Sequence, residues 1–290
     1  MRKGVVFPQT EIGSDQGAVI EYTQTAESLG YDHLLAYDHI LGANADSRPE
    51  WTGSYRHTDT FYEPITLFSF LSAVTSSLEF VSGIIILPQR QTTLVAKQAA
   101  TLDVLSKGRL RLGIGIGWNE VEYEALGENF SNRGRRSEEQ IDVMRKLWTN
   151  QLVTYEGKWH KITDAGINPL PTQRPIPIWF GGTSEIVIKR LSKIGDGWFP
   201  QGFSPDEKGK RIIDRLNSYI FQNGRTLSDV GIEPRISISK GTPNDWAREI
   251  AAWKDLGATH ISVNTMGAGY KSLEEHLNTI KIFKEIAEAV

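Results

Sequence analysis

The stretch Phe80–Leu87, which reads FVSGIIIL, is the strongest indicator of the fold. Apart from Ser82 it has no polar side chain on either face, which is typical of a strand in a parallel sheet covered on both sides. A helix is predicted next at Thr93–Leu105, and a further strand at Arg109–Ile116. A strand, a helix and a second strand in this order favour a parallel pair joined by a helical crossover.

The same alternation extends over the whole chain. Further strands are predicted at residues 4–7, 33–37, 178–180, 196–199, 235–239 and 260–264, with helical patterns between them. About eight such units favour a closed (β/α)8 TIM barrel over a doubly wound open sheet. The rhythm breaks at roughly 150–177, where a small hairpin around Gly157 and four prolines predict an inserted irregular excursion. We expect residues 1–290 to form a single domain.

Composition excludes several classes of protein. The chain has 32 basic and 35 acidic residues, a net charge of -3 and no block of one sign, so we expect neither nucleic acid nor a membrane surface as a partner. No window reaches the roughly 18 apolar residues of a spanning helix. Cysteine is absent, which excludes disulfides and thiolate ligands and makes a cytoplasmic location the default expectation. The six histidines lack paired ligand spacing, so no metal site is predicted.

In a barrel of this kind the chemistry lies at the carboxyl ends of the strands. One such end reads Gly181-Gly182-Thr183-Ser184 and leads into a helix. Glycines allow close approach of a ligand, and the free amides of a helix N-terminus favour a phosphate. The alternative is a plain capped turn, because serine and threonine are ordinary caps.

Two further strand ends suggest a site. Gly113, Gly115 and Gly117 alternate along one strand, and their missing side chains would leave room for a flat ring; the alternative is close packing against large neighbours. Asp38 and His39 end another strand, and a carboxylate beside an imidazole suits a general base or a ligand-binding pair. A lone histidine is also often structural.

The chain resembles the bacterial-luciferase-like oxidoreductases. The resemblance covers nearly the whole sequence and rests on residues 83–90 (GIIILPQR), 96–103 (AKQAATLD), 106–113 (SKGRLRLG), 116–119 (IGWN), 175–182 and 195–198. It implies a (β/α)8 barrel with an insertion, a small-molecule substrate, and FMN or the deazaflavin coenzyme F420 as cofactor. The LPQR motif and the Asp38-His39 pair resemble the deazaflavin-dependent branch most. Family members often carry a non-prolyl cis peptide in the third strand, which here falls at Ser82-Gly83 or Gly83-Ile84.

The resemblance also implies roles for particular residues. The cofactor would be bound by Ser82, Gly83, Gly115, Gly117, Trp118, Gly181, Gly182, Thr183 and Ser184. Asp38 and His39 would be catalytic, with His39 as proton donor. Sugar-phosphate dehydrogenases of the deazaflavin branch carry a glutamate where Trp118 stands, so a sugar phosphate is disfavoured. The aromatic loop Trp51–Tyr62 is a candidate substrate lid, and the family commonly forms homodimers.

The sequence therefore predicts hydride transfer between coenzyme F420 and a small organic substrate. An FMN-dependent monooxygenase that uses reduced flavin and oxygen is the alternative. Two interpretations from other classes remain: a non-catalytic flavin-binding protein, and a phosphate-binding barrel aldolase or isomerase. The aldolase or isomerase would need a Schiff-base lysine or a paired acid and base near the mouth, and Lys240 is the lysine that the sequence places at a strand end.

Overall fold

The computed structural model describes residues 1–290. Its strand segments are β1 (Arg2–Val6), β2 (His33–Ala36), β3 (Glu79–Ser82), β4 (Ile85–Ile86), β5 (Leu110–Gly115), β6 (Val153–Glu156), β7 (Lys161–Ala165), β8 (Ile178–Gly181), β9 (Gly197–Phe199), β10 (Gly231–Ile232), β11 (Arg235–Ser237) and β12 (His260–Asn264). Its α-helices are α1 (Gln16–Ser28), α2 (Pro64–Ser72), α3 (Thr92–Leu105), α4 (Glu120–Ala125), α5 (Arg133–Thr149), α6 (Glu185–Ile194), α7 (Glu207–Gln222), α8 (Pro243–Asp255) and α9 (Leu273–Ala289). No helix is both long and apolar enough to span a bilayer.

Ten strand segments form one parallel sheet in the order β10-β9-β8-β5-β3-β2-β1-β12-β11, with β4 also paired to β5. The two ends of this path, β10 and β11, are consecutive pieces of one strand separated by Glu233 and Pro234. Across the break, the Glu233 amide donates to the Trp198 carbonyl at 2.9 Å and the Ser262 amide donates to the Pro234 carbonyl at 3.1 Å. The ring therefore closes. Because β3 and β4 are also pieces of one strand, it has eight strand positions, and the predicted (β/α)8 barrel is confirmed.

Alternate residues of each strand pack in two separate cores. Val5 and Leu34 belong to a cluster of 55 buried residues that joins the outer face of the barrel to the helices. Their neighbours Val6 and Leu35 belong to a small inner cluster with Val81, Trp179 and Phe199. Because successive side chains point to opposite faces of a strand, a barrel strand that packs on both sides has apolar residues on both faces. This explains the continuous apolar runs from which the strands were predicted.

The amino-terminal end of the barrel interior is charged. Glu233 lies 2.7 Å from His33 Nε2 and also pairs with Arg111, which itself lies 3.1 Å from Glu79. Burial opposes ionisation of Glu233, but the Arg111 charge and His33 hold its pKa well below the usual range. Burial and the Arg111 charge together lower the pKa of His260 to about 2. This ionic layer fills the end of the barrel opposite the strand carboxyl ends.

The excursion lies where the sequence predicts it. Strands β6 and β7 form an antiparallel hairpin outside the main sheet. Glu139 of α5 accepts hydrogen bonds from three consecutive backbone amides of the hairpin turn, those of Lys158, Trp159 and His160. These bonds fix the excursion against the barrel helices.

Two predicted strands differ from the structure. The strand predicted at 80–87 is interrupted, and the Gly83-Ile84 peptide within the interruption is cis, at one of the two expected positions. The strand predicted at 235–239 begins earlier, at Gly231. Its first part was missed because a glycine, a glutamate and a proline close together are typical of a loop.

Candidate active site

The predicted site segments meet at one end of the barrel. Tyr37–His39 follows β2, Leu87–Arg90 follows β4, Ile116–Trp118 follows β5 and Gly182–Ser184 follows β8. All of these strands are parallel neighbours, so their carboxyl ends share one rim. The structure therefore brings together the segments that sequence reasoning selected one by one.

His39 forms a carboxylate–imidazole pair at this rim. Its Nδ1 lies 2.9 Å from Oε1 of Glu122, a fully buried residue of α4. The other oxygen of Glu122 accepts from Gln89 Nε2 at 2.9 Å. Because a carboxylate only accepts, Nδ1 carries the proton and Nε2 is left to exchange a proton with a substrate. Glu122 was not selected from the sequence, since nothing local indicates a partner 83 residues from His39.

Aromatic side chains surround the His39 ring. Tyr55 and Phe61 each lie 4.7 Å from it between ring centroids, and Trp118 lies at 5.9 Å. Trp51 packs on Trp118 at 5.6 Å. The ring of His39 is thus largely screened from water, and its side chain is 11% exposed. The loop proposed as a lid is therefore in contact with the site.

The base of this loop is a close backbone contact. Ala43 and Arg56 form an isolated parallel bridge, and the His57 amide donates to the Ala43 carbonyl at 3.1 Å. A Cβ on Gly42 would lie 2.2 Å from the Arg56 carbonyl, so this contact requires glycine. The bridge holds the two ends of the loop together, while the aromatic residues of the loop extend over His39.

Asp38 has a different role from the catalytic one expected of it. Its Oδ1 accepts from Arg90 at 2.8 Å and its Oδ2 accepts from the Ile86 amide at 3.0 Å. Arg90 also pairs with Glu63 at 3.0 Å. Burial raises the pKa of Asp38, although the Arg90 charge opposes this shift. Asp38 has a donor on each oxygen and is only 3% exposed, so it holds the strand after the cis peptide and its carboxylate is buried away from the mouth.

The glycines of β5 do not leave an empty floor, which corrects the expectation from the sequence. A Cβ on Gly115 would lie 2.5 Å from Ile84 Cδ1, and one on Gly117 would lie 2.7 Å from Ile86. The Ile84 side chain also covers Gly181, where a Cβ would meet it at 3.0 Å. The missing side chains thus admit Ile84, which is only partly buried and presents an apolar surface to the mouth.

Ser82 and Gly83 lie beneath this surface. The Ser82 hydroxyl donates to the Gly113 carbonyl and accepts from its amide, both at 2.9 Å. A Cβ on Gly83 would lie 2.4 Å from Leu35. Both residues therefore position the Ile84 segment, and neither presents a free polar group.

The segment after β8 keeps its polar groups available. Gly182 has a φ of 108°, and the Trp198 indole donates to its carbonyl at 2.8 Å. Thr183 and Ser184 are exposed, and Ser184 caps α6 without a side-chain hydrogen bond. Glu185 follows, but its carboxylate is directed to Tyr219 and Arg215 of α7, which lower its pKa. The amino end of α6 is therefore open to an anion.

Lys240 and a groove between two helices are weaker candidates for a functional site. Lys240 is exposed at the rim, and no carboxylate pairs with it. A groove of ≈ 530 Å³ lies between α5 and α6, but it is lined by charged helix residues such as Arg145 and Lys189 and includes none of the strand-end residues.

Comparison with known proteins gives a consistent result. The family model for luciferase-like monooxygenases matches residues 1–280. An uncharacterized protein of Mycobacterium tuberculosis is 31% identical, over 96% of this chain and 97% of its own length. An FMNH2-dependent dimethylsulfone monooxygenase of Pseudomonas putida is 29% identical over 86% of this chain and 65% of its own. An F420-dependent glucose-6-phosphate dehydrogenase of Microbacterium testaceum is 26% identical over 89% and 74%.

A solved structure supports the fold. The F420-dependent secondary alcohol dehydrogenase in complex with an F420–acetone adduct superposes with a TM-score of 0.81, over 100% of this chain and 98% of its own. Its sequence identity is 17%, so the likeness concerns architecture alone.

Proposed function

The chain belongs to the luciferase-like monooxygenase family, and from this premise we propose that it is an oxidoreductase that transfers a hydride between coenzyme F420 and a small organic substrate at the barrel mouth. The observation that carries the proposal is the His39–Glu122 pair. Hydride transfer to or from an alcohol carbon requires a group that accepts or returns the hydroxyl proton, and His39 Nε2 is placed for that task.

The residues of the mouth fit such a cofactor. The open amides of α6, with the Thr183 and Ser184 hydroxyls, suit its phosphate. The apolar surface of Ile84, supported by Gly115 and Gly181, suits the face of a planar ring. Gly117 and Trp118 would line the same channel. When bound, the deazaflavin supplies a ring carbon that takes up or releases a hydride.

The residues of this chain would carry the rest of the reaction. Glu122 fixes the tautomer of His39 and stabilises the imidazolium that forms when Nε2 takes the substrate proton. Tyr55, Phe61 and Trp118 limit the access of water to that nitrogen. Asp38 acts indirectly, by holding the Ile84 segment beneath the ring through the Ile86 amide.

An FMN-dependent monooxygenase is the second candidate. The dimethylsulfone monooxygenase is 29% identical and uses FMNH2, and an enclosed aromatic site also suits a reaction that must exclude water. The experiment is a titration of the purified protein with F420 and with FMN, followed by ring absorbance and turnover with a panel of secondary alcohols. Saturable binding of F420 with alcohol-dependent turnover supports the proposal. Binding of FMN alone favours the second candidate, and binding of neither rejects both.

The assembly is also a proposal. We expect a homodimer, and light scattering of the purified protein would test it.

A further inference from the structure

The inner face of the strand formed by β10 and β11 is polar at the mouth. Ile236 and Ile238 are buried in the outer core, so Arg235, Ser237 and Ser239 point to the inside of the barrel. Ser237 and Ser239 are nevertheless exposed, which means that they face the open mouth and not the packed interior. This wall, Arg235 to Ser239, lies across the barrel from the strand formed by β3 and β4.

Arg235 is a cation without an acidic partner. Its guanidinium carbon lies 5.0 Å from the centroid of the Tyr37 ring, and its side chain makes no hydrogen bond or ion pair with the protein. Two other arginines of the barrel are paired: Arg90 forms ion pairs with two carboxylates, and so does Arg111. A half-buried charge is ordinarily paired, so an unpaired one at a mouth is suited to an anionic ligand.

Tyr55 links the surroundings of Arg235 to the His39 ring. Tyr55 packs on the His39 ring with 4.7 Å between centroids. The same tyrosine lies within the field of Arg235: burial and Tyr37 raise its pKa, and the Arg235 charge opposes this. Asp59 also acts on Tyr55, but its carboxylate accepts from the Arg56 amide at 2.6 Å and does not neutralise Arg235. Tyr55 thus contacts the His39 ring, and the Arg235 charge acts on the same side chain.

We propose that Arg235, assisted by the Ser237 hydroxyl, binds a compact oxyanion such as a carboxylate or sulfonate of the substrate. The inference rests on the proposed function, and it narrows the substrate to a small organic acid whose alcohol or carbonyl carbon lies near His39. Arginine matches such groups with two parallel N–H donors, and a neighbouring hydroxyl supplies a third. The tyrosine beneath the guanidinium holds it in place by a cation–π contact.

The test compares two probes of the same size, one charged and one neutral. Methanesulfonate carries an anionic oxygen at the position where dimethyl sulfone has a second methyl group. Each is titrated calorimetrically into cofactor-saturated wild-type protein and into Arg235→Gln, Arg235→Lys and Arg211→Gln. Arg211 is an exposed residue of α7, outside the barrel, so its variant has the same loss of charge away from the inner wall.

We expect wild type to bind methanesulfonate about 10- to 100-fold more tightly than dimethyl sulfone, in line with a charge-assisted hydrogen bond. Arg235→Gln should lose that advantage, Arg235→Lys should retain part of it, and Arg211→Gln should match wild type. Equal affinity for the two probes, or unchanged methanesulfonate affinity in Arg235→Gln, overturns the proposal. A third outcome also overturns it. If Arg235→Gln binds the cofactor more weakly, and if wild type loses methanesulfonate binding when the cofactor is loaded, then Arg235 binds the cofactor.

The result is independent of the proposed redox reaction. If the protein binds neither F420 nor FMN, the proposed function fails, while titration of the protein alone still reports on Arg235. If Arg235→Gln does not fold, the Arg235→Lys variant decides, since it keeps the charge but loses the two-donor geometry. Its affinity for methanesulfonate should then fall, and an affinity equal to that of wild type contradicts the proposal.

Discussion

The Glu122 carboxylate, which is buried beside His39, can be replaced by an amide of the same shape, so the effect of its charge can be tested alone. Glu122→Gln keeps the volume of the side chain and an oxygen that accepts from His39 Nδ1. The NH2 group of the new amide would then face Gln89 Nε2, which is also a hydrogen-bond donor. Gln89 can reverse its own amide, because its Oε1 is buried without a hydrogen-bond partner and would accept from the new amide. The fold should therefore tolerate the change, with a loss of unfolding free energy of about 1 kcal/mol or less.

The effect on catalysis should be larger than the effect on stability. In the variant the imidazolium keeps a charge-assisted hydrogen bond to the amide oxygen but loses the attraction of the carboxylate charge. We set this loss at about 1.5 kcal/mol, the difference between a hydrogen bond with one charged member and a neutral one. Since about 1.4 kcal/mol corresponds to a factor of ten in rate, kcat/KM should fall roughly tenfold. Glu122→Ala, which also leaves two buried donors unpaired, should cost about 2–4 kcal/mol of stability.

The assay follows the ring absorbance of F420 with the alcohol that wild type oxidises fastest. Glu120→Gln is the matched control, because Glu120 lies in the first turn of the same helix but is exposed. In a His39→Asn background, Glu122→Gln should have almost no further effect, since Glu122 acts through His39. Nitrogen NMR should show His39 protonated at Nδ1 in wild type and in Glu122→Gln. A Glu122→Gln enzyme with wild-type kcat/KM, or an equal loss in the His39→Asn background, would refute the reasoning.

Three further predictions concern the rim and the interior. Thr183→Glu places a carboxylate at the amino end of α6, so the free energy of unfolding should change by about 1 kcal/mol or less. Repulsion between this carboxylate and the cofactor phosphate should weaken cofactor binding at least about 100-fold. Thr183→Ser should bind the cofactor normally, and normal binding by Thr183→Glu would exclude a phosphate site there. Gly115→Ala should cost about 1–3 kcal/mol in urea unfolding because its Cβ would lie 2.5 Å from Ile84 Cδ1 and 2.9 Å from Ile84 Cγ1. In an Ile84→Ala background, which lacks both atoms, the same change should cost much less, and an equal cost there would mean that the backbone is the obstacle. His260 has a pKa of about 2 in the folded protein and about 6.5 in the unfolded chain. Its contribution to stability is therefore complete above pH 6.5 and is lost as the pH falls, by at most about 2 kcal/mol at pH 5. His260→Gln should lose correspondingly less stability between pH 7 and pH 5, and an unchanged pH dependence would contradict the shift.

The barrel was predictable because its pattern is local. Most strands have apolar residues on both faces, and the alternation of such runs with helical patterns is visible in the sequence itself. Strand ends then indicated the rim, and His39, Gly182 and Ser184 were selected on that basis. The first part of the β10–β11 strand was missed because Pro234 interrupts its pattern.

Partners in space were not predictable from the same signals. Nothing near His39 indicates Glu122, and Asp38 looked like its natural companion only because the two are adjacent in sequence. The structure shows that the two adjacent side chains have different partners: Asp38 reaches Arg90, while His39 reaches Glu122. Likewise, the glycines of β5 were visible in the sequence, but the side chain that fills their space, Ile84, comes from a neighbouring interrupted strand.

Two arginines on the inner face of one barrel show how the chain separates stability from binding. Arg111 lies in the closed end, where water cannot compensate a charge, and Glu233 and Glu79 neutralise it. Arg235 lies nearer the mouth, and the chain places only an aromatic ring beneath it. A fold selected for stability alone would gain by pairing both, since an acidic residue at Ser237 would lie on the same inner face as Arg235. The absence of such a residue is understandable if a substrate anion completes the pair, and Ser237→Asp should therefore raise the unfolding temperature while it abolishes methanesulfonate binding. A variant that binds the anion as wild type does would show that Arg235 is merely a surface cation stacked on Tyr37.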